Sequence, residues 1–187
     1  MSAHTEYVRQ VHQHCSPFWG EFSEELHWTK GPPENHLENF SVLKFSPSKE
    51  QNLFTYVTCG LSEDDEKEPI ECFLLSPFPD ASLCELLTIV AWYHRRRVSL
   101  GWGHTVNFGR PWLPESSCDH GLFSTPYLDG PELEWLDRGS SRMQFLWLIP
   151  ITAAEREFKK KQGLESLESR FESAGFNYAD PNRKSVI

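Results

Sequence analysis

Residues 145–171 read FLWLIPITAAEREFKKKQGLESLESRF. An almost unbroken apolar run meets a segment dense with charge, and the junction decides the fold. RMQFLWLIPI (142–151) is apolar without alternation, which suits a central strand covered on both faces. Pro150 has no N–H to give a sheet ladder, so it belongs near the end of that strand. Thr152 and Glu155 stand at the spacing of a capping box, which makes the junction a strand-to-helix turn. Beyond it, Leu164, Leu167, Phe171 and Ala174 recur at helical spacing. One oily stripe packs down while the charges face water. Gly163 divides two helical pieces, and Gly175 sits where a left-handed cap ends the second.

Working back along the chain, NFSVLKFS (39–46), LFTYVTCG (53–60) and IECFLLS (70–76) are rich in β-branched and aromatic residues. Short polar connections between them predict an antiparallel meander. Leu83, Leu86, Leu87, Val90 and His94 mark a helix over about 80–97, begun by Asp80 or by a Ser82–Glu85 capping box. Arg95, Arg96 and Arg97 close it where the dipole favours positive charge. A first helix places Tyr7, Val8, Val11 and Cys15 on one face within residues 1–20, and Pro17 and Gly20 end it. Short strands are expected at 104–109 and 121–125. The sum is an α+β protein: one domain over 1–187, a largely antiparallel or mixed sheet with helices packed on it.

The 187 residues carry a formal net charge of −9, with 39% hydrophobic and 24% charged residues. This balance fits a globular chain, and the negative sign disfavours nucleic acid as a partner. No apolar run approaches the length of a membrane span, and the N-terminus lacks a basic leader and apolar core, so no membrane partner is expected and the cytoplasm is the default location. Five scattered cysteines, Cys15, Cys59, Cys72, Cys84 and Cys118, read as reduced and buried thiols.

Chemistry-bearing patterns are weak. His12-Gln13-His14-Cys15 holds metal-ligand types, but on a helix His12 and His14 point apart. Cys118-Asp119-His120 are adjacent in sequence, whereas nucleophilic triads converge from distant positions. Gly101-Trp102-Gly103 precedes a strand, out of context for a dinucleotide loop. No phosphate loop, serine elbow or zinc-protease motif is present. No metal, cofactor or catalytic residue is assigned.

Three blocks resemble the suppressor-of-fused-like domain family over about residues 36–187. The first is a strand–turn–strand ending in Thr58, Gly60, Leu61 and Ser62; the second is the acid-bearing strand with Glu71. The third is Pro150-Ile151 with Glu155, then Gly163 and Leu167, then Asp180-Pro181-Asn182-Arg183. The resemblance implies a compact domain that binds proteins and is not a catalyst. Animal multidomain members accept a peptide as an added strand in a groove between two domains. The expectation here is the first domain alone, with His104 where the animal pattern has an acid, so the animal partner does not transfer. Single-domain bacterial members are associated with immunity proteins that neutralise toxins.

On this reading the protein is a non-enzymatic binding domain, a bacterial immunity protein whose acidity suits a basic toxin. Candidate contacts are Glu63, Asp64, Asp65 and Glu66 in the acidic loop, with Trp102, His104 and Trp112. Glu71, Pro150, Glu155, Gly163, Asp180 and Arg183 are assigned to structure, with Arg183 reaching either Glu155 or Glu71. Two rival readings remain: a scaffold that accepts a peptide at a sheet edge, and an enzyme in which Cys59, His104, Cys118 or Asp180 converge.

Overall fold

The computed structural model describes residues 3–30, 37–49, 51–63, 66–139 and 141–187. The elements are α1 (Ala3–Trp19), β1 (Phe22–Leu26), β2 (Ser41–Phe45), β3 (Phe54–Cys59), β4 (Ile70–Ser76) and α2 (Ser82–Arg96). They continue as β5 (Thr105–Asn107), β6 (Cys118–Ser124), α3 (Pro131–Glu134), β7 (Trp135–Asp137), β8 (Arg142–Thr152), α4 (Ala153–Gln162) and α5 (Leu164–Ala174). Among the described residues the strands join in the order β1-β2-β3-β4-β8-β6-β5, with β7 on the leading end of β8. β4 and β8 are parallel; every other pairing is antiparallel. This is the mixed sheet with packed helices that the sequence implies.

Both faces of the sheet are covered. On one, Val42, Tyr56, Cys72, Leu74, Leu146 and Leu148 meet Leu83, Leu87 and Val90 of α2. On the other, Leu43, Val57, Phe73, Phe145 and Ile149 meet Val11, Cys15 and Trp19 of α1 with Leu167 and Phe171 of α5. Each such side chain contributes about 1.5–3 kcal/mol on leaving water. Every residue of β4 is buried, as are the residues of β8 from Phe145 onward, which is why neither strand alternates in hydropathy.

The strand-to-helix junction forms as expected. The Thr152 N–H donates to Glu155 Oε2 at 2.8 Å and the Glu155 N–H to Thr152 Oγ1 at 3.2 Å. Gly163, at φ 88°, separates α4 from α5, and Gly175 at φ 55° ends α5 in the left-handed region. One helix end differs from expectation, and of the two starts open to α2 the Asp80 one forms. α1 runs through Pro17 to Trp19. Proline's missing N–H matters least in a last turn, the Ser16 hydroxyl lies 3.5 Å from the Gln13 carbonyl left bare, and Trp19 is buried against Phe73 at 4.9 Å. The Ser82–Glu85 box does not form: Asp80 Oδ1 instead accepts the Ser82 N–H at 2.8 Å, and Glu85 lies 3.7 Å from Arg110. The strands β1 and β7 and the short α3 were not expected.

The five cysteines are free and buried. Among the described residues no helix is long and apolar enough to cross a membrane, and no group of side chains could hold a metal ion.

Candidate partner-binding groove

Glu71 is the anchor from which the site is built. It lies on β4, fully buried, facing α1. The Tyr7 hydroxyl donates to its Oε1 at 2.5 Å, and Thr58 Oγ1 donates to Oε2. The N–H groups of Gly60 (2.6 Å) and Leu61 (3.0 Å) complete the set. Burial pushes the Glu71 carboxyl up to about 7, against the pull of these four donors. The carboxylate thereby clamps the turn after β3. Gly60 adopts φ 96°, and a Cβ there would collide with the Asn39 carbonyl oxygen.

The far side of the turn is stitched to α2. Arg95 donates through NH2 to the Gly60 carbonyl, through Nε to Leu61 O at 3.3 Å and through NH1 to Glu38 O at 3.1 Å. These carbonyls absorb its fork, so Arg95 does more than complement the helix dipole. Ser62 Oγ accepts the Ile70 N–H at 2.9 Å and lies 3.0 Å from His94 Nε2. The Leu100 N–H donates to His94 Nδ1 at 2.8 Å, so the neutral ring carries its proton on Nε2 and donates it to Glu66 at 3.1 Å. Burial lowers the His94 pKa, with Glu66 opposing, which favours this neutral tautomer.

The clamped turn is a ridge between two clefts. One, of about 780 Å³, holds Tyr7, Arg95, Arg96 and Arg138. The other, of about 940 Å³, brings Glu63 and Glu66 together with Trp102 and His104. Trp102 is 57% exposed there, beside Val98 at 48%. Its position is set by a turn in which the His104 N–H donates to Gly101 O, while Gly103 N and His104 O extend the β5–β6 ladder to Phe123. Lys67, Arg96 and Arg97 line the same cleft, so its walls carry both signs of charge and not acid alone.

The sequence profile of suppressor of fused protein (SUFU) matches residues 34–184. The chain belongs to the suppressor of fused family. A SUFU homologue from Neisseria gonorrhoeae FA 1090 superposes with a TM-score of 0.85 at 34% identity, covering 98% of both chains. The immunity protein YqcF of Bacillus subtilis is 22% identical over 178 residues, 90% of this chain and 92% of that one. A Sufu–Fu complex structure shares the fold, with a TM-score of 0.68 at 12% identity over 97% of this chain. Drosophila Suppressor of Fused matches at a TM-score of 0.58 and 14% identity, over 42% of its length.

The residues that carry the SUFU resemblance meet in two buried knots. Thr58, Gly60 and Leu61 hold Glu71, and Ser62 ties the turn to His94. In the second knot Arg183 donates through NH1 to Glu155 Oε1 and through NH2 to Glu155 Oε2, each at 2.7 Å. NH2 also reaches Pro150 O at 2.9 Å, and the Val186 N–H donates to Glu155 Oε1 at 3.0 Å. Arg183 therefore pairs with Glu155 and not with Glu71. Asp180 is a turn residue: its carbonyl accepts the Arg183 N–H at 3.2 Å and its Oδ1 the Asn182 N–H at 2.9 Å. Gly163 serves the α4–α5 break.

Of the proposed contacts, Glu63, Glu66, Trp102 and His104 share one cleft, although some forty residues of chain separate the two pairs. Asp64 and Asp65 lie outside the described residues. Trp112 is a correction: it is 1% exposed, in the core beneath α2, and its Nε1 donates to Ser116 Oγ at 3.0 Å. A loop tryptophan here plugs the core edge. Trp135 is 38% exposed with Arg142 over its ring at 4.8 Å. His12 and His14 diverge, His12 to Glu21 at 3.1 Å and His14 to the Leu133 carbonyl at 2.8 Å. Cys118 is buried on the α2 face and Cys59 on the opposite face, while His104 is exposed, so these groups do not converge. Burial raises the pKa of both thiols, the reverse of what a nucleophile requires.

Proposed function

We propose that this protein is a non-enzymatic protein-binding domain that neutralises a cognate toxin, with the cleft of Glu63, Glu66, Trp102 and His104 as its contact surface. The observation that carries the reading is the exposed Trp102, held on a hydrogen-bonded turn between charged walls; tryptophan is among the residue types most enriched at interface hot spots. The likeness to YqcF, over nearly the whole of both chains, supports a toxin as the partner. A net charge of −9 favours a basic one by long-range attraction, while Arg96 and Arg97 supply local complementarity to an acid on it. Five buried, unpaired cysteines suit the reducing cytoplasm.

A second reading has its own observation. β5 ends the sheet, and among the described residues no strand pairs with its outer edge. A peptide added there would run beside Trp102 and His104, so strand addition is a way of using the same surface.

The test is co-expression with candidate toxin domains, including the product of any toxin gene next to this one, together with titration of each purified pair. Trp102→Ala and the double change Glu63→Lys, Glu66→Lys are expected to weaken binding by about tenfold or more and to abolish growth protection. Undiminished binding by both variants would place the contact surface elsewhere. Failure of the wild type to bind or protect would overturn the toxin reading itself.

A further inference from the structure

A recess of about 450 Å³ lies on the opposite face from α2, between β6, β8 and α5. Its floor is Leu122 and Ile149, and four aromatic residues, Tyr127, Phe171, Phe176 and Tyr178, form its walls. The rings are contiguous. Trp147 lies 5.2 Å from Tyr127 and 4.7 Å from Tyr178, edge-on to the latter; Phe176 is 6.1 Å from Tyr178 and stacks on Phe171 at 4.1 Å. Glu168 and Glu172 stand one helical turn apart on α5 at the rim.

The charge here is one-sided. Glu168 and Glu172 have no basic partner among the described residues, and like charges at that spacing repel. Burial, then Glu172 and Glu165, raise the Glu168 pKa, with no cation opposing. Asp129 adds to the same field at Tyr178. Arg183, 5.0 Å from Phe176, is already taken up by Glu155 and Pro150. Aromatic faces carry negative quadrupole potential, so rings and carboxylates together favour one kind of occupant, a desolvated organic cation.

We propose that this recess receives the alkylammonium side chain of a lysine presented by another protein. The methylene stem would lie along the rings, and the ammonium would reach Glu168 and Glu172. The volume lies within the range of small-ligand sites. Tyr127 is 53% exposed and Glu172 is exposed, so the recess opens to a side chain entering from a protein surface. The site lies on a different face from the Trp102 cleft and stands or falls without the toxin reading.

The test is an NMR titration of the full chain, following the Tyr127 and Tyr178 ring resonances. Three probes are compared: N-acetyl-lysine methylamide, its uncharged analogue N-acetyl-norleucine methylamide, and choline. The lysine amide is expected to saturate with millimolar affinity, about tenfold tighter than the norleucine amide. Glu168→Gln with Glu172→Gln should remove that tenfold preference while leaving norleucine binding unchanged; both positions reach solvent and the change relieves repulsion, so folding is retained. Tyr178→Ala should weaken all three probes. No saturable shift with the lysine amide, equal affinity for lysine and norleucine amides, or a preference that survives the double glutamine change would each overturn the proposal. Choline binding more tightly than the lysine amide would overturn the assignment to a protein side chain in favour of a free amine.

Discussion

Arg183 and Glu155 form a buried, two-pronged ion pair that ties the tail of the chain to the first turn of α4, both prongs at 2.7 Å. The same carboxylate also caps the helix through the Thr152 N–H. One side chain thus ends β8, starts α4 and anchors the tail. Removing either partner strands a buried charge. Arg183→Ala or Glu155→Ala is expected to cost about 3–5 kcal/mol in urea unfolding. Arg183→Lys, which keeps the charge and loses the fork, should recover only part of that.

Glu71 gives the stability a distinctive pH dependence. Its carboxyl is raised from 4.5 to about 7 in the folded chain. Between those values the folded state holds a proton that the unfolded state has released, so this group's contribution is present below pH 4.5 and is lost as pH rises through 7. The change is about 3 kcal/mol at most. Glu155 acts in the opposite sense: despite burial, Arg183 and the cap hydrogen bonds lower its pKa, so its contribution is lost as the pH falls through the lowered value. The difference between wild type and Glu71→Gln isolates the first effect. The variant should lose the downward slope between pH 4.5 and 7; an unchanged slope would count against the assignment.

Gly60→Ala should be disproportionately damaging. The position combines φ 96° with the Asn39 carbonyl oxygen in the place of a Cβ. A loss of about 2–4 kcal/mol is expected by thermal or chemical unfolding. Because Arg95 and Glu71 both hold this turn, the Trp102 cleft should also lose affinity for its partner.

Trp102 and Trp112 separate surface from core. Trp112→Ala should cost about 3–5 kcal/mol through the cavity it leaves. Trp102→Ala should change stability by about 0.5 kcal/mol or less while weakening partner binding. Calorimetry paired with a binding titration tells the two apart.

Most of what could be read from the sequence was local, the pairing of Arg183 with Glu155 being an exception. The Thr152–Glu155 cap, the Gly163 break and the apolar runs of β4 and β8 rest on neighbours within a turn or on burial of whole strands. β1 was missed because only its end residues, Phe22 and Leu26, are half-buried, so FSEEL shows no alternation. β7, three residues long, owes its existence to the edge that β8 offers. The parallel pairing of β4 with β8 joins distant segments and leaves no local trace. The same holds for the sites. Glu63 and Trp102 were singled out separately, but only the tethering of the Gly60–Ser62 turn to His94 and Arg95 at the end of α2 sets them in one cleft. The ring cluster draws on residues 127, 147, 171, 176 and 178, a grouping invisible before the α5 turn folds back. The loop setting of Trp112 suits a contact surface and a plug at the core edge alike, and only the fold decides for the plug.

The place of β8 has a consequence for synthesis on the ribosome. It lies in the interior of the sheet, yet it is made after seven of the eight strands found among the described residues. Until it emerges, β4 and β6 each present an oily, unpaired border to the surroundings. A nascent chain stalled before residue 142 is therefore expected to attract chaperones or clump, and release of the last segment should let the two halves zip shut around it.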